Sequence, residues 1–371
     1  MINERTMKKV SWIVGACLLM VLGCSAGKQT ATETHVPASD ARIQYVGRVN
    51  KQQPDVIKFT YPGVQIIAGF EGTSVRMVAK PKSAFYVAQI DDQEPFKVDF
   101  FNQEDSVLLL AEGLSEGKHT VKLMHITEGY DLKPEFYGFI LDPGKDLTEA
   151  PVLPQRKIEF IGNSITCGYG VEATEATDPF NYYTENHYLS FAALTAKALE
   201  AQHLVVARSG IGIFRNYNGP YDGKPETAMP ALYKYTNYND TTEVWDYRQY
   251  TPDVVCINLG TNDTSAGKYN KIKLREAYIA FLQTLRNRYP QAKIVLMSGC
   301  MLTGQRMQDV EDAQNAAVAE LNKKGDNEVY RFTFPAQDGS LGYGANYHPS
   351  IQQQAKMASE LTPFLRELMG W

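Results

Sequence analysis

The chain has 371 residues, 44% of them apolar and 21% charged, with a net charge of −5 at pH 7, a globular composition long enough for about two domains. The acidic balance speaks against nucleic acid as a partner and against a polybasic membrane-binding surface. Beyond Cys17 and Cys24 only Cys167, Cys256 and Cys300 remain, an odd set without CxxC spacing, so neither a disulfide framework nor a zinc site is expected and no cofactor is implied.

In chain order, Lys8 and Lys9 precede an apolar run over 10–22 that is too short to span a bilayer, which predicts a secretory signal peptide over 1–23. Removing those residues takes away Glu4, Arg5, Lys8 and Lys9 (net +2), so the mature charge becomes −7. The ending Val21-Leu22-Gly23-Cys24 resembles a bacterial lipobox. That resemblance implies an exported lipoprotein of the cell envelope, held to the membrane by a lipid on Cys24. Residues 24–40 are rich in Ala, Thr and Ser and read as a flexible tether.

Over 41–142 the β-favouring runs 64–70, 74–79, 85–90, 106–111 and 119–125 are broken by Gly72, Pro81, Asp91-Asp92 and Glu116-Gly117. Short strands at regular spacing without a long helix predict an all-β sandwich. His119 and His125 fall on one face of a strand, and without a third ligand they read as structural. Residues 143–154, with Pro143, Gly144, Pro151 and Pro154, are expected to link two domains. From 155 to 371 apolar runs at 157–161, 204–207, 254–259, 294–298 and 329–334 alternate with helical patterns at 188–200, 274–288 and from 350 onward. That alternation predicts a parallel sheet covered on both faces, a flavodoxin-like three-layer α/β domain.

The first of these runs stops at Gly162, which sets Ser164 in a tight loop at a strand's carboxyl end, where open α/β sheets place their ligands. Serine needs a base and its oxyanion needs donors. Of the six histidines, His348 is best placed as base, because His187 and His203 suit capping or packing and His35 lies in the tether. Cys167 is a weaker nucleophile candidate, with no base dedicated to it. Cys256 and Cys300 read as buried apolar residues.

Asn163-Ser164, Ser209-Gly210, Gly260-Thr261-Asn262-Asp263 and His348-Pro349-Ser350 follow one another in an order that resembles the SGNH, or GDSL, hydrolases. The β segment, with Gly63-Val64-Gln65-Ile66-Ile67 and Gly117-Lys118-His119-Thr120-Val121, resembles the jelly-roll domain that precedes the esterase domain in carbohydrate esterase family 2. The resemblance implies an esterase that removes O-acetyl groups from carbohydrate through Ser164 and His348, with the backbone of Ser164 and Gly210 and the side chain of Asn262 as oxyanion donors. Other SGNH acyl chemistry, such as acyltransfer or hydrolysis of peptidoglycan O-acetyl groups, and a non-catalytic glycan-binding lipoprotein are the alternatives. Among the aromatic residues between 213 and 250, Trp245 and one or two tyrosines are expected in the pocket, where flat rings with polar tips suit sugars.

Two departures from the family pattern stand out. Asn163 replaces the aspartate of GDS, and Ala345 stands where an aspartate often orients the histidine, with Asp338 the nearest upstream acid in that loop. A Ser-His dyad is therefore expected, with a main-chain carbonyl within about 3.2 Å of His348 Nδ1.

Overall fold

The computed structural model describes residues 32–238 and 240–371, so the expected signal peptide and Cys24 lie outside the described residues. Glu33–Trp371 form one compact unit, with an antiparallel β lobe followed by an α/β lobe. In the β lobe one six-stranded sheet runs Asn50–Gln53, Val56–Lys58, Glu135–Leu141, Val75–Ala79, Val107–Ala111, with Thr34–Pro37 on Glu135–Leu141. The other runs Leu147–Thr148, Gln65–Gly72, Gly117–His125, Phe85–Ile90, Phe96–Asp99, with Gln44–Val46 on Gln65–Gly72. Alternation along Gly117–His125 turns His119, Val121, Leu123 and His125 inward. His119 is held by Asp91 at 2.7 Å and His125 by the Tyr61 carbonyl at 3.1 Å, so both histidines are structural.

Two expectations at the edges of this lobe are corrected. Residues 34–37, placed in the tether, pair with a sheet edge because their backbone meets open donors and acceptors there and Val36 and Ala38 are buried. Within the expected linker, Leu147–Thr148 adds a strand to Gln65–Gly72 and Leu147 is buried.

The α/β lobe has five parallel strands: β1 (Arg156–Gly162), β2 (Ala201–Ala207), β3 (Val254–Asn258), β4 (Lys293–Ser298) and β5 (Val329–Thr333), in the order β2-β1-β3-β4-β5. Each lies within two or three residues of its expected run. Helices α1 (Phe191–Ala198) and α4 (Ile351–Met369) cover one face, where Phe160, Cys256, Val295, Phe191, Leu361 and Leu365 pack together. Helices α2 (Lys271–Arg288) and α3 (Gly304–Lys323) cover the other, against Ile161, Ile257, Leu296, Phe281 and Val310. In this order the side on which successive strands are added switches between β1 and β3, and the carboxyl end of the parallel sheet opens a crevice there.

Arg48, from the β lobe, has no solvent exposure and reaches into the α/β lobe. Its guanidinium pairs with Glu159 of β1 at 3.3 Å, donates to the Tyr235 carbonyl at 2.9 Å and to the Tyr233 carbonyl, and lies 4.6 Å from the Tyr233 ring centroid and 5.3 Å from that of Trp245. Glu159 also accepts from the Tyr233 hydroxyl at 2.9 Å. Burial raises the pKa of Glu159, while Arg48 and Tyr233 pull it down. Removing one member of such a pair strands the other charge in a dry site. Arg48→Ala is expected to lose about 3–5 kcal/mol of unfolding free energy in a denaturant titration, and Glu159→Gln in the Arg48→Ala background should recover part of it; a loss below about 1 kcal/mol would show that the pair does not join the lobes.

Candidate active site

The site is assembled from loops that leave the carboxyl ends of β1, β2 and β3, closed by the loop before α4. At the end of β1, a Cβ added to Gly162 would lie 2.0 Å from Thr166 Oγ1, so the turn is tight enough to require glycine. Asn163 caps the one-turn helix Ser164–Cys167 by accepting from the Ile165 N–H at 3.1 Å, and Gly168 ends it with φ +82°. Here the residue replacing the usual aspartate has a capping role. Ser164 sits at the start of this turn.

Opposite it, His348 Nε2 lies 2.8 Å from Ser164 Oγ, and Nδ1 lies 3.0 Å from the Ala345 carbonyl oxygen. A carbonyl can only accept, so the ring proton belongs on Nδ1 and the Nε2 lone pair faces the serine hydroxyl. The expected main-chain carbonyl is therefore found, three residues upstream in the same loop. Asp338 is exposed, and its carboxylate accepts from the Ser340 N–H at 2.9 Å and its hydroxyl at 2.6 Å. Burial lowers the pKa of His348 to about 4, against the opposing pull of the Ala345 carbonyl, so the imidazole is neutral at pH 7.

The loop that carries the carbonyl is held under backbone strain. Asn346 and Tyr347 have φ of +49° and +59°, a left-handed conformation that costs roughly 1–2 kcal/mol for each such residue. The Asn346 and Tyr347 N–H groups donate to the Asp178 and Ala176 carbonyls at 3.0 and 2.9 Å, and Asn346 Nδ2 donates to the Tyr169 hydroxyl at 2.8 Å. The Tyr169 ring stacks on the His348 ring at 4.2 Å and on Phe180 at 4.6 Å.

Ser164, Gly210, Asn262 and His348 line one cavity of about 720 Å³. Gly210 follows β2 with φ +75°. Asn262 follows β3; one of its amide hydrogens is committed to the Ile211 carbonyl at 2.8 Å, which fixes the plane of the carboxamide and leaves the other N–H available to the cavity. Next to it, Asp263 is buried and accepts the N–H groups of Ile213, Phe214 and Arg215 at 3.0, 2.8 and 2.9 Å. Burial raises its pKa and these three donors oppose the rise. The Arg215 guanidinium is buried among the Asp263 and Ala266 carbonyls and the Ser265 hydroxyl, so it ties the loops after β2 and β3 together. Asp263 was within reach of sequence reasoning as the neighbour of Asn262; nothing marked Arg215.

The pocket residue expected from the aromatic insertion is corrected. Trp245 is only 3% exposed, does not line the cavity and faces Arg48, because the buried cation draws the ring's electron-rich face inward. The tyrosine part of that expectation is met by Tyr217, 62% exposed, which forms an aromatic lip with Tyr347, 54% exposed. Position alone, directly before His348, could have pointed to Tyr347. Cys167 is fully buried and its thiol pKa is raised well above the ordinary value by burial, which leaves it an inert thiol.

Two family profiles match the chain: Carbohydrate esterase 2 N-terminal over residues 45–151 and the GDSL-like Lipase/Acylhydrolase family over residues 160–355. Over 343 residues the chain is 37% identical to Cellulase/esterase CelE of Acetivibrio thermocellus, covering 92% of this chain but 41% of that one. It is 32% identical over 355 residues to an acetylxylan esterase / glucomannan deacetylase of Cellvibrio japonicus, covering 94% and 95% of the two chains. Among solved structures, a family two carbohydrate esterase from Clostridium thermocellum in complex with cellohexaose matches with a TM-score of 0.81 at 37% identity, over 89% of this chain and 99% of that one. A family two carbohydrate esterase from Cellvibrio japonicus matches with a TM-score of 0.83 at 29% identity, over 92% and 99%.

Loss of a carboxylate that orients a catalytic histidine costs about 10⁴-fold in kcat. Since the Ala345 carbonyl occupies that place here, Asp338→Ala is expected to leave kcat on an acetyl ester within about twofold of the parent; a fall of several hundredfold would mean that Asp338 reaches Nδ1 during turnover.

Proposed function

Since the chain belongs to carbohydrate esterase family 2 and is an SGNH-type carboxylic ester hydrolase, we propose that it removes O-acetyl groups from carbohydrate through an acetyl-enzyme on Ser164. The observation that carries this reading is the 2.8 Å contact between Ser164 Oγ and an imidazole whose other nitrogen is committed to a carbonyl. His348 takes the Ser164 proton as Oγ attacks the acetyl carbonyl carbon. The oxygen that becomes negative accepts from the Ser164 and Gly210 N–H groups and from Asn262 Nδ2. When the tetrahedral adduct collapses, His348 gives that proton to the departing sugar oxygen, which leaves as a free hydroxyl. Water then attacks the acetyl-enzyme with His348 again as base, acetate leaves, and the proton goes back to Ser164.

No carboxylate touches the imidazole among the described residues, so the positive ring formed in each step is supported by dipoles: the Ala345 carbonyl and the face of Tyr169. The same stacking fixes the ring plane, so less orientational freedom is lost at the transition state. The lip of Tyr217 and Tyr347 suits a pyranose, which offers a C–H face to an aromatic ring and hydroxyls to its rim. The names of the relatives, acetylxylan esterase and glucomannan deacetylase among them, agree with a plant cell-wall glycan as the class of substrate.

Ser164→Ala should lower kcat on 4-nitrophenyl acetate or acetylated xylan by at least about 10³-fold while the thermal unfolding midpoint is kept; near-parental turnover would remove the proposal. The base must be neutral to act. Because the pKa of His348 is lowered to about 4, kcat/KM should rise with pH through that region and be level from mildly acidic pH to neutrality. A rise centred on the ordinary imidazole value instead would mean that the ring is solvated in the free enzyme.

A further inference from the structure

Behind the oxyanion side of the cavity lie two buried carboxylates that the reaction just described does not use. Glu128, in the segment that follows Gly117–His125 of the β lobe, is 6% exposed; Glu185, from the loop before α1, is fully buried. The Glu128 carboxylate accepts the Ser209 N–H at 2.7 Å on one oxygen and the Ser209 hydroxyl on the other. Its backbone N–H donates to Glu185 Oε2 at 2.9 Å. The remaining oxygen of Glu185, Oε1, is buried without a hydrogen-bond partner. Ligating atoms of Glu128, Glu185 and Cys167 all lie within 4.8 Å of one another, and neither carboxylate has an ion pair among the described residues.

We infer that Glu128 is a positioning residue for the oxyanion loop: together with Glu185 it holds a single shared proton, and the resulting carboxylate clamps Ser209 so that the next N–H, that of Gly210, stays aimed at the reacting oxygen. This inference rests on the serine-esterase reading above. Two carboxylates this close in a dry site cannot both be charged without a severe electrostatic cost, so one retains its proton. The unpartnered Oε1 is where a proton is needed, because a protonated Glu185 becomes a donor to Glu128 and the orphan oxygen is satisfied. Burial, followed by the charge of Glu128, raises the pKa of Glu185 well above the usual carboxylate range.

Around the pair stand further titratable and charged groups, among them Asp131, which lines the same crevice and accepts from the Tyr182 hydroxyl at 3.3 Å. The Cys167 thiol and the phenols of Tyr169, Tyr182 and Tyr238 are all shifted upward, chiefly by burial, and stay neutral at pH 7. The Arg208 guanidinium, which lines the same crevice, lies over the Tyr130 and Tyr238 rings at 4.7 and 5.7 Å from their centroids. When the shared proton is removed at alkaline pH, two adjacent buried charges repel, the clamp on Ser209 opens and the Gly210 donor is lost. Activity therefore falls on the alkaline side through a pair that never touches the substrate.

The test uses the full mature chain with 4-nitrophenyl acetate, and the pH dependence of kcat and KM for the parent, Glu128→Ala, Glu128→Gln and Glu185→Gln, with Ser164→Ala as the inactive control. Losing one oxyanion donor costs about 10²–10³-fold in kcat, so Glu128→Ala should fall by that order with KM changed less than about threefold, and Glu128→Gln should recover at least about tenfold because its amide oxygen still accepts from Ser209. In Glu185→Gln a carboxamide N–H replaces the shared proton permanently, so the alkaline fall in kcat and the infrared carbonyl band of a protonated buried carboxyl should both disappear. The inference is overturned if Glu128→Ala keeps kcat within about threefold of the parent, if Glu185→Gln retains the alkaline limb and the band, or if the purified protein carries one equivalent of a divalent ion at these residues. Should Glu128→Ala fail to fold, Glu128→Gln and the infrared band decide the matter. Failure of the serine-esterase reading shows separately, as turnover that survives in Ser164→Ala.

Discussion

Arg48 carries a permanent positive charge with no access to water, and the arrangement of the two lobes follows from what has to surround it. A guanidinium cannot discard its proton to escape burial, so its partners must come to it. They come from the α/β lobe: Glu159 in the middle of β1, two carbonyls at 233 and 235, and the faces of Tyr233 and Trp245. Glu159 lies five positions before Ser164 on the same strand and its exit turn. Pinning that strand to the β lobe fixes the direction in which the Ser164 turn leaves the sheet. The β lobe thereby braces the site from outside the cavity rather than hanging on as an appended module, and Glu128, which reaches across the same seam to accept the Ser209 N–H, shows it in direct contact with the loop after β2.

The remaining parts of the site are suspended on irregular backbone, and its precision depends on polar groups with no exposure. Asp263 gathers three successive N–H groups of the loop after β2, and Arg215 returns from that loop to the carbonyls after β3. Each closes the other's requirement: the carboxylate supplies acceptors to the turn that carries the guanidinium, and the guanidinium satisfies carbonyls beside the carboxylate. Partly satisfied networks of this kind are destabilising, while complete ones specify one geometry. Here the specified geometry is the plane of the Asn262 amide.

Much of this was legible in the chain. Strands buried on both faces read as largely apolar runs, broken in β1 by Glu159, and β1, β2 and β3 end just before Ser164, Gly210 and Asn262, so these residues could be placed on one sheet edge with His348 from order alone. The missing aspartate at Ala345 pointed to a carbonyl acceptor because chemistry demands some acceptor at Nδ1. Short edge strands such as Gln44–Val46 and Phe96–Asp99 carry too few residues to show a period, and Leu147–Thr148 is set by its neighbour rather than by its own composition. Trp245 was misread for a physical reason: an aromatic ring suits a sugar and a buried cation equally well, and only the fold shows that Arg48 is beneath it. Glu128 and Glu185 had no local signature, since their meeting depends on how the two lobes close on each other.

The group that orients His348 is a peptide carbonyl, and a peptide carbonyl belongs to every residue type. No side-chain replacement at position 345 can delete it, so this element of the proposed catalytic machinery is silent to alanine scanning and open to sequence drift, provided that the main chain keeps its path. What inheritance must preserve is that path: the close packing of Ala345 on Gly170, where an added Cβ would approach to 2.3 Å, and the left-handed pair Asn346 and Tyr347 that turns the ring back toward Ser164. A histidine oriented in this way places the constraint on the shape of a turn and not on the identity of one codon.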